Sequence, residues 1–298
     1  MRLVLPVKLM SAMNNTQDNS RVVLITGASA GVGEASARAF AANGARVIVA
    51  ARGIDRLQQV ADGIGATAIA GDVATTDGCR ELIDAAIAVH GRLDVLVNNA
   101  GCHHRGPVAG RSADDLAEMV DTNLRAPLVL SRLALDTLRK DGGGAIVNVA
   151  SIAGQMPLAG SATYSATKFG VRGITESLDG EWAEDGIAVR SLCPSFIDTP
   201  LLDKNPNAGS NQDIRQRVTD AGLEITPVQD VADAAWDAVH GDKLHTLVGK
   251  TAKRLGFFSR WMPGSWVRAS ATTSSGSRPR RIQARYLLMR GAACWPCW

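Results

Sequence analysis

The sequence predicts an α/β fold in which a doubly wound parallel sheet of about seven strands carries helices on both faces. Two observations indicate this fold. From residue 21 onward, short runs rich in β-branched residues alternate with longer amphipathic stretches, and a cluster of glycines directly follows the first run. Because parallel strands need long crossover connections, usually helices, this alternation is typical of a three-layer αβα architecture.

The spacing of apolar residues places each element. Strands are predicted at Val22–Ile25, Arg46–Ala50, Thr67–Ala70, Leu93–Val97, Ala145–Val149 and Ala188–Leu192. Helices are predicted at about 31–43, 54–63, 76–90, 112–138, 162–184 and 228–240, with a last strand near 243–248. The stretch 195–226 is rich in Pro, Gly and Asn, so we expect a mobile flap over a binding site.

Composition divides the chain into three segments. Residues 1–20 are interpreted as a loose leader, residues 21–250 as one Rossmann-type domain, and residues 251–298 as a basic, aromatic extension. Linker composition predicts disorder at 269–281 within that extension. The extension holds nine Lys/Arg and no Asp/Glu, whereas residues 1–250 hold 23 basic and 29 acidic side chains. This acidic body gives no reason to expect a nucleic-acid partner.

Hydropathy and cysteine usage favour a cytoplasmic protein. No apolar stretch approaches the roughly 20 residues that a transmembrane helix needs. The five cysteines are too few and too scattered for a disulfide framework, which indicates a reducing compartment. Only Cys294 and Cys297 form a C-x-x-C pair, for which zinc or redox use and a tail pair without function both stay open.

The first predicted strand runs into a glycine-rich turn with the spacing G-x-x-x-G-x-G, and a helix follows. Glycine lets the backbone turn sharply and approach a pyrophosphate, while the start of the helix offers unpaired N–H groups. Because the turn lies at the first βα junction, it predicts a dinucleotide cofactor. The positions expected to contact it are Gly27, Ser29, Gly31, Val32 and Gly33.

The end of the second predicted strand bears on the choice of cofactor. An acidic residue there would hydrogen-bond the ribose 2′-OH of NAD, but Ala51 is neutral and Arg52 is cationic. A guanidinium suits the 2′-phosphate of NADP, so we expect NADP(H), with NAD(H) as the alternative. In the plainer interpretation, Arg52 is a solvated residue at a strand end.

Tyr164 and Lys168 are four residues apart in a predicted helix and therefore share one of its faces. A phenol is a poor acid or base at neutral pH, and a neighbouring ammonium favours the phenolate and lowers the phenol pKa. Ser151 precedes the tyrosine by 13 residues, just after a predicted strand. The pattern indicates proton transfer, although a surface helix with an ordinary Tyr and Lys has the same spacing.

Together these residues resemble the classical short-chain dehydrogenase/reductase family over about residues 21–250. The matching motifs, in chain order, are Thr26-Gly27-x3-Gly31-x-Gly33, Asp72 in Gly-Asp-Val, Asn98-Asn99-Ala100-Gly101, Asn123 in Asp-Thr-Asn-Leu, Ser151, Tyr164-x3-Lys168 and Pro194 to Thr199. The family usually has Pro-Gly after the sixth strand, where this chain has Pro194-Ser195. Because serine adopts positive φ less readily than glycine, the path of this loop is open.

The resemblance implies a set of cofactor contacts. Asp72 and Val73 would contact the adenine, and Asn99, Ala100 and Gly101 would flank its ribose. On the nicotinamide side, the implied contacts are Tyr164, Lys168, Pro194, Ile197 and Thr199. The preceding Asn98 would brace the sheet and not touch the ligand.

The resemblance also implies an NADP(H)-dependent oxidoreductase that moves a hydride between the nicotinamide and a ketone, an aldehyde or a secondary alcohol. Ser151 would polarise the carbonyl and Tyr164 would act as the general acid/base. Lys168 would lower the pKa of Tyr164, and the backbone of Asn123 would support a proton relay. The alternatives are a catalytically silent NADP-sensing protein and a membrane-docked binding protein on the same fold.

The loops around the predicted site suggest a mainly apolar pocket for a medium-sized substrate. The tentative substrate contacts are Gln155, Met156, Leu158 and Phe196. His103 and His104 are interpreted as ordinary loop residues, because no further ligand follows them at a useful spacing, and no metal site is predicted.

The basic aromatic run 250–268 has three interpretations. It could cap the substrate cleft, make peripheral contact with an anionic membrane, or be a surface helix with an ordinary apolar face. The resemblance further implies a homodimer paired through the helices at 112–138 and 162–184. A tetramer is the alternative, which is weakened because the family's usual C-terminal segment is replaced here.

Overall fold

A seven-stranded parallel sheet lies at the centre of the computed structural model, which describes residues 21–203 and 214–261. The strand order is β3-β2-β1-β4-β5-β6-β9, and all neighbours run parallel. These strands are β1 (Val22–Thr26), β2 (Arg46–Ala51), β3 (Thr67–Ala70), β4 (Val95–Asn98), β5 (Ala145–Val149), β6 (Ala188–Pro194) and β9 (His245–Val248). The predicted doubly wound α/β fold is confirmed.

Helices cover both faces of the sheet. They are α1 (Gly31–Ala42), α2 (Ile54–Asp62), α3 (Thr76–His90), α4 (Ala113–Val120), α5 (Ala126–Leu138), α6 (Ala162–Glu181), α7 (Pro200–Asp203), α8 (Ile214–Asp220), α9 (Val228–His240) and α10 (Lys250–Trp261). Apolar side chains of α1, α2 and α9 form one core with the sheet, and those of α3, α5 and α6 form the other. Because both faces are covered, β1 is buried along its whole length.

The helix predicted at 112–138 is interrupted. Between α4 and α5 lies a π-helical turn, Asp121–Arg125, whose wider hydrogen-bonding pattern a regular helix lacks. The side chain of Asn123 in this turn is buried, and it accepts from the Cys102 amide and donates to the Cys102 carbonyl, both at 2.8 Å. The apolar spacing of the sequence did not distinguish this turn from a continuous helix, because the contact made by the turn is with a distant loop.

The described part of the predicted flap 195–226 has regular structure. Strand β7 (Phe196–Ile197) pairs in parallel with β8 (Ile225–Thr226) outside the main sheet. Helices α7 and α8 pack against this pair through a small apolar cluster that includes Leu202, Ile214 and Val218. Residues 204–213 of the predicted flap lie outside the described residues.

The described part of the C-terminal extension is helix α10. It packs against β9 and against the 3-10 turn Ile152–Gly154, while Phe257 and Phe258 are 65% and 47% exposed. The predicted leader 1–20, the predicted linker 269–281 and the Cys294/Cys297 pair lie outside the described residues. Within residues 21–203 and 214–261, every helix is too short or too polar to cross a membrane.

Candidate active site

The predicted site residues meet at the edge of the sheet where the parallel strands end. The strand order reverses between β1 and β4, and ligands of doubly wound sheets bind at such a point. A cleft of about 650 Å³ opens there, within the usual size range of small-molecule sites. Of the predicted cofactor positions, the lining includes Gly27, Ser29, Gly31, Val32, Arg52, Asp72, Val73, Asn99, Ala100, Gly101, Tyr164, Lys168, Pro194, Ile197 and Thr199.

The glycine-rich turn connects β1 to α1 along the floor of the cleft. Gly27 has φ of +65°, and a Cβ there would lie 2.7 Å from the Cα of Ala100. A Cβ at Gly33 would lie 2.4 Å from the carbonyl oxygen of Gly27, so Gly33 permits close packing although it does not line the cleft. The turn therefore exposes backbone N–H groups at the start of α1, which suits a pyrophosphate.

Hydrogen bonds from the end of β4 hold this turn in place. The Asn99 side-chain amide donates to the carbonyls of Thr26 and Gly27, at 2.8 and 3.1 Å. The Thr26 hydroxyl accepts from the backbone amides of Asn99 and Ala100, both at 3.1 Å. The neighbouring Asn98 is buried, and its amide donates to the Asn148 side chain on β5 at 2.9 Å. The prediction that Asn98 braces the sheet is confirmed.

One end of the cleft carries the groups predicted for the adenosine part of the cofactor. Arg52 follows β2, and its Nη1 lies 3.3 Å from Oε1 of Glu118 on α4. The Arg52 side chain is 69% exposed, so this ion pair is worth little free energy and the guanidinium can exchange Glu118 for another anion. Asp72 also faces the cleft, and its carboxylate accepts from the Ala74 amide at 3.0 Å.

The other end of the cleft brings together the residues predicted for catalysis. Ser151 follows β5, and its hydroxyl accepts from the Ala153 amide at 3.1 Å. Tyr164 and Lys168 lie one turn apart on α6, with the Lys168 Nζ 5.7 Å from the centre of the tyrosine ring. Lys168 also donates to the Val149 carbonyl at 2.8 Å, which anchors its side chain beneath the cleft.

Burial is the largest influence on the pKa values of Tyr164 and Lys168 at this end of the cleft. It raises the pKa of Tyr164, and a hydrogen bond with the Ser151 side chain opposes that rise. Burial also lowers the pKa of Lys168 from 10.5 to about 8. The sequence led us to expect a tyrosine pKa lowered by Lys168; in the protein alone, desolvation dominates and the phenol holds its proton more tightly.

Asn123, which the resemblance also assigns to catalysis, lies outside the cleft lining. Besides its two bonds to Cys102, its amide lies 3.4 Å from the hydroxyl of Thr167, the residue before Lys168. Asn123 therefore connects the loop after β4 with α6.

Two of the four tentative substrate residues line the cleft, namely Leu158 and Phe196. Gln155 and Met156 do not: Met156 is 3% exposed, and the Gln155 side chain hydrogen-bonds Cys193. Both were placed by sequence proximity to Ser151, but the 3-10 turn Ile152–Gly154 directs them away. Helix α10 is absent from the cleft lining as well, so its described residues do not cap the site.

The chain matches the sequence profile of the short chain dehydrogenase family over residues 21–209. It belongs to this family. An uncharacterized oxidoreductase of Staphylococcus saprophyticus is 37% identical over 207 residues, which cover 68% of this chain and 83% of that protein. The protein is therefore an oxidoreductase of the NAD(P)-dependent short-chain type.

Two solved short-chain dehydrogenases have the same fold. The 3-ketoacyl-(acyl-carrier-protein) reductase of Brucella melitensis, solved with NADH, is 28% identical with a TM-score of 0.71, and the match covers 78% of this chain and 98% of that chain. A metagenomic short-chain oxidoreductase solved with NADP is 28% identical with a TM-score of 0.63, and the match covers 76% and 96%.

His103 is a site residue of this short-chain dehydrogenase that sequence reasoning missed. Its ring stacks on that of Tyr164, with centroids 3.9 Å apart and planes inclined by 14°. Its Nε2 lies 3.2 Å from the Ser161 hydroxyl. Burial, followed by the positive charges of Arg105 and Lys168, lowers the pKa of His103 to about 3, so the imidazole is neutral at physiological pH. No spacing in the sequence signals this contact between a loop and a distant helix.

A Ser–His–carboxylate arrangement lies away from the cleft. The Ser191 hydroxyl is 2.7 Å from Nδ1 of His245, and Nε2 of His245 is 2.9 Å from a Glu176 oxygen. Ser191 is fully buried in β6 and does not line the cleft, so its oxygen cannot reach a substrate. These bonds join β6, β9 and α6 and are structural, and the cleft remains the candidate active site.

Proposed function

We propose that this protein is an NADP(H)-dependent oxidoreductase that interconverts a medium-sized ketone or aldehyde with its alcohol. The observation that carries this proposal is the placement of Ser151, Tyr164 and Lys168 at one end of a cleft whose other end presents the glycine-rich turn and Arg52. This arrangement supports hydride transfer at the first end and dinucleotide binding along the rest.

The residues of the chain fit the cofactor on three counts. The glycine-rich turn offers a close backbone approach, as the positive φ of Gly27 and Gly31 indicates. Ser195 lines the cleft, and its hydroxyl is buried without a hydrogen-bond partner among the described residues, which leaves a polar atom for a ligand. Lys168 would hydrogen-bond the nicotinamide ribose, with Ile197 and Thr199 near the carboxamide. The nicotinamide supplies or accepts the hydride when the cofactor is bound.

Side chains of the protein supply the proton that carbonyl reduction requires. During carbonyl reduction negative charge develops on the substrate oxygen, and the Ser151 hydroxyl donates a hydrogen bond to that oxygen. Tyr164 then delivers its proton as general acid. Because burial raises the pKa of Tyr164, the phenol is protonated at neutral pH, which suits proton donation. Lys168 and the π turn around Asn123 would return a proton from solvent to the phenol.

Arg52 supports the preference for NADP(H). The end of β2 carries no acidic side chain that would select a ribose hydroxyl, and Arg52 lines the cleft beside Asp72. A charge-assisted hydrogen bond is worth about 1.5–3 kcal/mol. Arg52→Ala should therefore lower kcat/KM for NADPH roughly ten- to hundredfold and leave that for NADH nearly unchanged. Equal efficiency of the unmodified enzyme with NADH would refute the preference.

The side chains that line the cleft also constrain the substrate. Apolar side chains at the catalytic end include Ile152, Leu158 and Phe196, which suits an apolar carbonyl compound.

Leu128 on α5 and Phe169 on α6 are 45% and 40% exposed, which supports a homodimer paired through these helices. Cys79, Cys102 and Cys193 are free thiols, which supports the cytoplasm as the site of action.

The test is NADPH oxidation across a panel of ketones and aldehydes, with Tyr164→Phe as the decisive variant. We expect this variant to lose turnover by at least about a hundredfold, since general acid catalysis contributes that much, while its affinity for NADPH stays nearly unchanged. Tyr286→Phe is the matched control, because Tyr286 is the chain's other tyrosine. NADPH binding without turnover of any carbonyl by the unmodified enzyme would favour the silent, cofactor-sensing alternative.

The membrane-docked alternative rests on α10. Its exposed Phe257 and Phe258 accompany the basic residues Lys253 and Arg254. Flotation of the protein with anionic liposomes, with and without residues 250–298, separates this alternative from the enzyme hypothesis. Membrane binding that requires this segment would support it.

A further inference from the structure

A cluster of three potential metal ligands lies at the edge of the cleft. Cys102 and His104 come from the loop after β4, and Glu118 comes from α4. The ligand atoms of these three side chains all lie within 4.8 Å of one another, and all three residues are half-buried. The closest pair is His104 Nε2 and Glu118 Oε2, at 2.8 Å.

We propose that Cys102, His104 and Glu118 bind one Zn²⁺ ion. Thiolate, imidazole and carboxylate are the ligand types that Zn²⁺ takes in proteins, and three protein ligands leave a fourth tetrahedral position open. Ligand atoms of a tetrahedral zinc site are about 3.5 Å apart, so the cluster needs side-chain movements of only about 1 Å. Cys102 and Glu118 line the cleft, so an ion held by the three ligands would lie at its edge.

The groups around the cluster hold the ligands in position. The Asn123 side chain exchanges two hydrogen bonds with the backbone of Cys102, which fixes the start of the loop. The His104 amide donates to the Met119 sulfur at 3.4 Å, which ties the loop to α4 next to Glu118. In the protein without cofactor, Oε1 of Glu118 accepts from Arg52, while Oε2 lies beside His104 in the cluster. Such outer contacts orient ligands and typically affect metal affinity about 10- to 100-fold.

The experiment measures metal binding directly, without an activity assay. The background is the full chain with Cys294→Ser and Cys297→Ser, which removes the other cysteine pair that could hold zinc. Isothermal titration with Zn²⁺ should give one ion per chain. Glu118→Gln and Cys102→Ser should each weaken binding at least about tenfold. The matched control is Cys79→Ser, which removes a buried cysteine on α3 that is not part of the cluster and should leave affinity unchanged.

Cobalt substitution supplies an independent signature. Co²⁺ in this site should show thiolate-to-metal charge-transfer absorption, which Cys102→Ser abolishes and Glu118→Gln retains at higher metal concentration. Glu118→Gln preserves the size and shape of the side chain, so it keeps the test decisive if Cys102→Ser does not fold. Zinc affinity that is the same in Glu118→Gln as in the background, or no stoichiometric binding to the background, would overturn the proposal.

Discussion

Replacing Lys168 by methionine should change the pH dependence of stability in a defined way. Lys168 is 5% exposed and its pKa is lowered from 10.5 to about 8. Between these values the unfolded state binds more protons than the folded state, so the stability of the unmodified protein rises with pH in that window. Methionine does not titrate, and the variant lacks this rise.

The magnitude follows from the pKa difference. Each pH unit corresponds to about 1.4 kcal/mol, so keeping Lys168 charged in its buried site costs about 3 kcal/mol at neutral pH. Lys168→Met removes this cost, but it leaves the Val149 carbonyl without its 2.8 Å donor, a loss of about 1–3 kcal/mol. The variant should therefore be as stable as the unmodified protein at about pH 7, or slightly more stable. Relative to the unmodified protein, it should lose about 2 kcal/mol between about pH 7 and pH 9.5.

Urea unfolding at a series of pH values, followed by tryptophan fluorescence, measures both proteins. Tyr164 and Cys79 titrate in both proteins, so their contributions cancel in the difference between the two curves. That difference reports on Lys168 and on the effect of its charge on the Cys102 thiol, the last of the five causes that set the Cys102 pKa. The matched control is Lys253→Met on α10, where the lysine is exposed and the curve should run parallel to that of the unmodified protein. A stability difference between Lys168→Met and the unmodified protein that stays constant across the pH range would refute the reasoning. The same variant should lose most of its NADPH turnover.

Three further substitutions test other parts of the site. Gly27→Ala should abolish cofactor binding, measured by NADPH fluorescence, because its Cβ would lie 2.7 Å from Ala100 at a positive φ. His103→Phe retains a ring that can stack on Tyr164, so its kcat should stay within a few-fold of the unmodified enzyme, whereas His103→Ala should lower kcat about tenfold. An equal loss of kcat in both variants would show that the imidazole nitrogens, and not the ring stack, matter for turnover. Asn98→Ala should lower the free energy of unfolding by about 1–3 kcal/mol, since it leaves the side-chain oxygen of the buried Asn148 without its donor.

Local patterns were enough to predict the sheet and most of its helices. Short-range constraints, which residue type and spacing encode directly, determine the apolar runs of β1 and β2 and the glycine-rich turn after β1. The same patterns did not reveal the π turn at Asp121–Arg125, where Asn123 bonds a loop residue 21 positions away, because local spacing carries no record of such a contact. Sequence proximity to Ser151 was likewise a poor guide to whether a side chain faces the cleft.

The sequence by itself determined the class of chemistry: the turn after β1, Ser151 and the Tyr164/Lys168 pair are matters of residue type and spacing. Tertiary structure alone decided their surroundings. It placed His103 on the tyrosine ring and set the pKa of Tyr164 by burial, against the expected effect of Lys168. It also brought Glu118 beside Cys102 and His104. Desolvation and contacts between distant segments depend on how the chain packs, so no local spacing encodes them.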